Sequence, residues 1–267
     1  MALAEGLSSK WISVSEPSPH VLHAELSRKP VNAFSVEFWT EYGALFDRLV
    51  AEGRDVRALV LSSALPKLFT AGIDDLAKDD AAEPMDAART SLATYRHLLE
   101  FQHAIGAPDR CPFPVIAAVH GLVVGLGIDI ISACDVRYGA DGTQFTIKEV
   151  DVGLAADIGT LSYLPKITGN HSLMQNLHTP RAWGRTEVIA AALKLADLIA
   201  SKSPIAVSGT KRILTHARDH SVSENLEYTA VWNAAALHTE DITSSMRAAK
   251  ARVAPTFDPL RKPTPKL

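Results

Sequence analysis

Pro114-Val115-Ile116-Ala117-Ala118-Val119-His120-Gly121-Leu122-Val123-Val124-Gly125-Leu126-Gly127-Ile128-Asp129 decides how this chain folds. The stretch opens with an uninterrupted run of β-branched and small apolar residues, the composition of a strand buried on both faces. Three glycines, Gly121, Gly125 and Gly127, then break the run, and apolar residues continue to Cys134 around a single carboxylate, Asp129. Pro114 to Val119 reads as a strand and Val123 to Cys134 as a buried helix. A strand that feeds a helix through a glycine-bearing turn is the unit of a parallel α/β sheet. The helix start made this way carries N–H groups with no intrahelical partner, which suit an anion or a developing oxyanion.

The same alternation extends outward. Upstream, Trp11 to Ser15 and Val21 to Leu26 form two short strands with Glu16-Pro17-Ser18-Pro19 turning between them. Ser35 opens a helix to about Ala51, in which Phe38, Tyr42, Leu45, Phe46 and Leu49 recur at three and four, and Gly53 ends it. Arg57 to Leu61 is a strand, Phe69 to Leu76 a second glycine-bearing loop, and Ala88 to Ile105 a long helix. Downstream, Asp135 to Tyr138 and Gln144 to Ile147 return as strands. Beyond Ser172 only helices are expected: Glu187 to Ala200, Pro204 to Arg218, Ser223 to His238 and Ile242 to Arg252. The expectation is an α/β core over 1–170, a helical region over 171–260 and a tail over 261–267, with Lys262 to Leu267 disordered.

Composition removes several classes of function. With 47% hydrophobic and 21% charged residues, the 267-residue chain can bury a large core without disulfides or a structural metal. A net charge of -3 and a pI near 6.4 argue against a nucleic-acid partner. The two cysteines, Cys111 and Cys134, lack CxxC spacing, which points to a reducing compartment. Asp129 in the middle of the most apolar run argues against a membrane span. Gly125-Leu126-Gly127 is not followed by the third glycine of a dinucleotide site, Ser208 to Arg212 has no Walker loop before it, and the ten histidines give no expected metal site. The N-terminus has no signal or transit pattern. Pro265-Lys266-Leu267 keeps the last two residues of a Ser-Lys-Leu peroxisomal signal, so the peroxisome is the expected address ahead of mitochondrion or cytoplasm.

Two further segments make the reading specific. Phe69-Thr70-Ala71-Gly72-Ile73-Asp74 resembles the F-x-A-G-x-D signature of the enoyl-CoA hydratase/isomerase (crotonase) superfamily. His120-Gly121 through Asp129 to Ala133-Cys134-Asp135 resembles its second signature, and Glu149-Val150-Asp151-Val152-Gly153-Leu154 its third. The resemblance implies a crotonase fold, a spiral of βαβ turns with a C-terminal helical region that trimerises, hence a homotrimer or homohexamer. It implies an acyl-CoA substrate, with coenzyme A part of that substrate and no metal or other cofactor. The oxyanion donors it implies are the backbone N–H groups of Ile73 and Leu126, with Ala71, Gly72, Asp74 and Gly125 at the substrate. Leu126 stands where the family commonly has glycine, so its side chain is expected to point away from the thioester.

Asp129, Glu149 and Asp157 are the catalytic candidates. Hydratases of the family carry glutamate at the first two places and a small residue at the third, whereas this set looks like the Δ3,5-Δ2,4-dienoyl-CoA isomerase branch. On that resemblance Asp157 and Glu149 form the proton-transfer pair, Asp157 assigned to C2 and Glu149 to C6 with the reverse order left open, and Asp129 hydrogen-bonds to or tunes the pair; neighbouring carboxyls push each other's pKa values apart. The alternative role for Asp157, ahead of Ile158-Gly159-Thr160, is a helix cap.

Other residues carry structural expectations. Asp74 and Asp75 cap or flank the loop helix, Asp135 pairs with Arg137, and His120 packs at a strand end. Lys211 and Arg212 reach a coenzyme A phosphate or form a solvated face.

One departure opens further readings. The A-x-E-A-x-x-x-G-L-V element usual in the family is missing: Asn176 to Gly184 leads almost directly to Arg185-Thr186-Glu187-Val188. A non-catalytic paralogue or shortened isoform, and a 2-enoyl-CoA hydratase using Asp129 and Glu149, therefore stand beside the isomerase.

Overall fold

Two sheets share the strands of this chain in the computed structural model, which describes residues 3–74, 86–168 and 183–260. The larger holds β1 (Ile12–Ser18), β2 (Val21–Leu26), β3 (Ala58–Ser63), β5 (Val115–Val119) and β7 (Val136–Gly139), in the order β1-β2-β3-β5-β7. Only β1 runs antiparallel to its neighbour, with Ile12 opposite Leu26. The smaller sheet is wholly parallel, β4 (Leu68–Thr70), β6 (Leu122–Val124) and β8 (Gln144–Thr146), in that order. Consecutive strands thus go to different sheets: β3 then β4, β5 then β6, β7 then β8. Helices α2 (Ala87–Ile105) with α3 (Ala107–Arg110), and α4 (Leu126–Ala133), lie between these pairs. The result is a spiral of ββα turns.

Helix α1 (Val36–Glu52) forms where the pattern places it. Ser35 Oγ accepts the Phe38 N–H at 3.4 Å, and Gly53 closes the helix at φ 61°. Its buried face meets Leu22, Leu59 and Leu61 on one side of the large sheet. The other side, Val21, Ala58, Val60, Ile116 and Ala118, is covered by α6 (Arg185–Ala200) through Val188, Ala192, Ala196 and Ala200. This four-residue row of mostly alanines brings the helix close to the sheet. The C-terminal helices follow as α7 (Pro204–His216), α8 (Val222–Ala236) and α9 (Glu240–Ala251). None of the residues of α8 is buried, and Val222, Leu226 and Val231 are more than half exposed. Among the described residues no helix is long and apolar enough to cross a membrane.

Several expectations need correction. β1 continues to Ser18, so the turn shrinks to Pro19 and His20, and His20 takes φ 67°. The helix expected from Val123 starts at Leu126, because Leu122–Val124 pair with β8 and Gly125 breaks the strand. Leu68–Thr70, partly read as loop, is β4, and α5 (Thr160–Thr168) is an additional helix. Asp135 does not pair with Arg137. Its carboxylate accepts from Val115 N–H at 2.8 Å and Lys211 Nζ at 2.7 Å. Arg137 instead donates to Ile131 O and Cys134 O, neutralising the C-terminal end of α4. Asp75, the shortened stretch from 169 to 182 and the tail from 261 lie outside the described residues.

Candidate active site

Strand β4 delivers Ala71-Gly72-Ile73-Asp74 beside the end of β6. Asn32, fully buried, anchors this exit: its side-chain amide nitrogen donates to Ser63 Oγ and Phe69 O, both at 2.9 Å, and its backbone carbonyl accepts from Thr70 Oγ1 at 2.6 Å. Gly72 has φ 98°, and a Cβ there would lie 3.2 Å from Val124 O, so the two glycine-bearing segments touch. A Cβ on Gly127 would lie 2.7 Å from Thr70 Cγ2, which shows how tightly α4 is pressed on β4.

This contact brings two backbone donors together. Phe34 N–H donates to Gly72 O at 2.8 Å and Asp74 N–H donates to Phe34 O at 2.9 Å. Alternation along the extended backbone turns the intervening Ile73 N–H to the opposite side. Leu126 is the first residue of α4, where the helix offers no carbonyl to its N–H. Among the described residues neither N–H donates to an acceptor. The Leu126 side chain is buried within the main core, leaving its N–H as the polar group it offers.

Every residue expected at the site borders one cavity of about 890 Å³: the Ala71–Asp74 loop, Gly125, Leu126, and the carboxylates Asp129, Glu149 and Asp157. Its apolar wall adds Phe34, Trp39, Leu98, Phe101 and Ile158, with Trp39 stacked on Phe101 at 4.9 Å. Sequence reasoning missed this wall. Trp39 and Phe101 sit at helical spacing and look like ordinary core residues.

The carboxylates differ in setting. Asp129, on α4, is 1% exposed, and its Oδ1 accepts the Thr160 N–H at 2.6 Å. Burial raises its pKa from 3.8 to about 6; Thr160 hydrogen bonding opposes the shift and the Glu149 charge adds to it. Glu149 begins a 3₁₀ turn, Glu149–Val152, that Gly153 closes at φ 86°. Its Oε2 is buried and, among the described residues, has no hydrogen-bond partner. Such an atom calls for water or a ligand. Asp157 is exposed between buried Ala156 and Ile158 and borders the cavity. The capping role considered for Asp157 belongs to Asp129, whose carboxylate serves the first N–H of α5.

The remaining candidates are structural. Asp74 Oδ2 accepts from Arg28 at 2.5 Å, holding the loop to the segment before α1. His120 is packed as expected, its Nε2 bonded to Leu65 O at 2.7 Å and its pKa lowered by burial. Lys211 reaches no open surface: it is buried and donates to Pro108 O, Phe113 O and Asp135. Arg212 is exposed and lies over Trp232. One histidine pair escaped the sequence reading, for His216 and His220 are four residues apart. Their rings stack face to face at 3.6 Å, with His216 Nδ1 bonded to Asn225 and His220 Nδ1 to His216 O. Among the described residues no group of three or more His, Cys, Asp or Glu is placed to hold a metal ion.

Two free N–H groups beside carboxylates fit proton transfer next to a carbonyl whose oxygen gains charge. The enoyl-CoA hydratase/isomerase profile matches residues 18–187. The chain is 43% identical, over 263 residues, to the mitochondrial Δ(3,5)-Δ(2,4)-dienoyl-CoA isomerase of Homo sapiens, covering 90% of this chain and 79% of that one. It is 34% identical over 258 residues to the peroxisomal Δ(3,5)-Δ(2,4)-dienoyl-CoA isomerase of Arabidopsis thaliana, covering 89% and 92%. The fold superposes on an enoyl-CoA hydratase from Bacillus anthracis with a TM-score of 0.78 at 23% identity, covering 92% of this chain and 98% of that one. In profile, in sequence and in its spiral of strands, this chain belongs to the enoyl-CoA hydratase/isomerase family.

Proposed function

We propose that this protein is a dienoyl-CoA isomerase that converts 3,5-dienoyl-CoA to 2,4-dienoyl-CoA in fatty-acid β-oxidation. Relatives of that name at 34–43% identity over most of the chain support the reading. The observation that carries it is the meeting of Glu149 and Asp157 on the cavity that holds the Ile73 and Leu126 N–H groups. In this mechanism Asp157 takes the proton from C2, and the electron pair spreads through the diene onto the thioester oxygen. The two N–H groups stabilise that oxygen, a contribution of about 3 kcal/mol per donor in such sites. Glu149 then gives its proton to C6, and the double bonds settle at C2 and C4. Asp157 ends protonated and Glu149 ionised, and exchange with solvent restores both. Asp129 fixes the start of α5 and acts on Glu149 through its charge. One proton leaves carbon and another arrives, with no net oxidation, so the proposed steps need no redox group or metal; coenzyme A enters with the substrate.

The test is the ultraviolet spectrum of the protein with a 3,5-dienoyl-CoA. Growth of the 2,4-dienoyl chromophore, abolished by Asp157→Asn and by Glu149→Gln, is the expected result. Hydration of a 2-enoyl-CoA without that growth would make the protein a hydratase. Neither reaction from a folded, assembled protein would make it a non-catalytic paralogue.

A homotrimer or homohexamer is the assembly we propose, supported by the exposed apolar residues of α8 and checked by light scattering. The relatives' names include both mitochondrial and peroxisomal forms. For this chain we propose the peroxisome, on Pro265-Lys266-Leu267, to be tested with a fluorescent fusion that leaves Leu267 free.

A further inference from the structure

We propose that Gln102 is a positioning residue for Asp157, and that through it the helix forming the apolar wall of the cavity controls the proton-transferring carboxylate. The inference rests on the role given to Asp157 above. Gln102 lies near the end of α2, and its Nε2 donates to the backbone carbonyl of Asp157 at 2.6 Å, across 55 positions of sequence.

The segment it holds has little else to fix it. Upstream, Leu154 N–H donates to Glu149 O at 3.1 Å, and downstream Thr160 N–H donates to Asp129. Between them, for residues 155–158, the Gln102 bond is the one backbone hydrogen bond found among the described residues. Buried Ala156 and Ile158 set the depth of the segment, but an apolar contact does not fix rotation about its long axis. A hydrogen bond to the central carbonyl does fix it, and with it the direction of the Asp157 carboxylate.

The same turn of α2 contributes to the cavity wall. His97, Leu98 and Phe101 border the cavity, and Phe101 stacks on Trp39 of α1. Gln102 follows Phe101 directly, so an acyl chain that moves this wall also moves the donor that aims Asp157. Occupancy of the wall and placement of the carboxylate are thereby linked by one rigid helical turn.

Gln102→Leu, Gln102→Glu and Gln102→Asn decide the matter, measured on the assembled full-length protein. With 3,5-dienoyl-CoA, Gln102→Leu is expected to lower kcat by roughly tenfold to a hundredfold, the scale of a misplacement near 1 Å, with KM changed far less. The isotope effect from deuterium at C2 should grow as that proton transfer becomes slower. Gln102→Glu should show a distinctive profile. Its ionised carboxylate cannot donate to a carbonyl, but its protonated form can, so its kcat relative to wild type should recover as pH falls. Gln102→Asn keeps the donor on a shorter arm and should recover part of the lost rate. Hydrogen exchange of a peptide spanning residues 154–159 should quicken in Gln102→Leu even without substrate.

Wild-type kcat in Gln102→Leu, or a pH-independent ratio for Gln102→Glu, would overturn the proposal while leaving the isomerase reading intact. An inactive wild type would count against the isomerase reading instead. Unchanged exchange over 154–159 would then still overturn the role of Gln102.

Discussion

The Asp129 carboxylate on α4 accepts the N–H of Thr160, the first residue of α5, at 2.6 Å. A buried acid therefore does the work of a helix cap for an element 31 positions away. It also sits close enough to Glu149 for that charge to raise its pKa further.

A first prediction concerns pH. Burial, foremost, raises the folded-state pKa of Asp129 from 3.8 to about 6, so the folded chain holds this proton more tightly than the unfolded chain does. The favourable contribution is therefore fully present below about pH 4 and is lost as pH rises through about 6. A shift of this size corresponds to about 3 kcal/mol. Asp129→Asn keeps an acceptor for Thr160 and removes the titration. Urea unfolding from about pH 4 to 7.5 should show the variant gaining on wild type by up to that amount. Parallel curves would mean that Asp129 ionises as freely folded as unfolded.

The contact between α4 and β4 gives a second. Gly127→Ala would force a methyl group within 2.7 Å of Thr70 Cγ2 and 3.0 Å of Val123 Cγ1. The helix must move away, costing about 1–3 kcal/mol of stability. The same movement spreads the Ile73 and Leu126 donors, so kcat should fall at least tenfold at temperatures where the variant is still folded. Full turnover combined with a lowered Tm would separate packing at Gly127 from the oxyanion site.

Lys211 supplies a third. Its side chain is 5% exposed, and its ammonium bonds to Pro108 O, Phe113 O and the Asp135 carboxylate. Lys211→Met leaves a buried acid and two carbonyls without that partner and should destabilise the protein by about 3–5 kcal/mol. Asp135→Asn on that background should cost less than it does alone, because the uncompensated charge is gone. Strict additivity in chemical denaturation would show that the two residues do not form a unit.

How far the sequence disclosed this molecule depended on where each signal was written. Helix α1 was legible because its cap residues Ser35 and Gly53 and its apolar period all lie within one stretch. Eight of the nine site residues were found through three local motifs and Asp157 through the carboxylate pattern just beyond the third, and all nine border one cavity. β4 and β6 were partly lost because three residues cannot display a period. The cap that Asp129 gives to α5, the Gln102 bond to Asp157 and the burial of Lys211 were invisible for another reason. Each joins residues 31 or more positions apart through isolated polar contacts, which leave no periodic trace. Asp135 and Arg137 misled by proximity: two opposite charges near each other in sequence found different partners in space.

Neighbouring strands β4, β6 and β8 each end at the cavity, delivering Ile73, Leu126 and Glu149 in turn. Their spacing is set by the sheet's own ladder, about 4.8 Å from strand to strand, so connector length does not enter the geometry of the chemistry. Such a rack is evolvable. Connections can be lengthened or cut while the three posts stay in register. New reactions then become accessible by exchanging the side chain mounted on one post, without rebuilding the others.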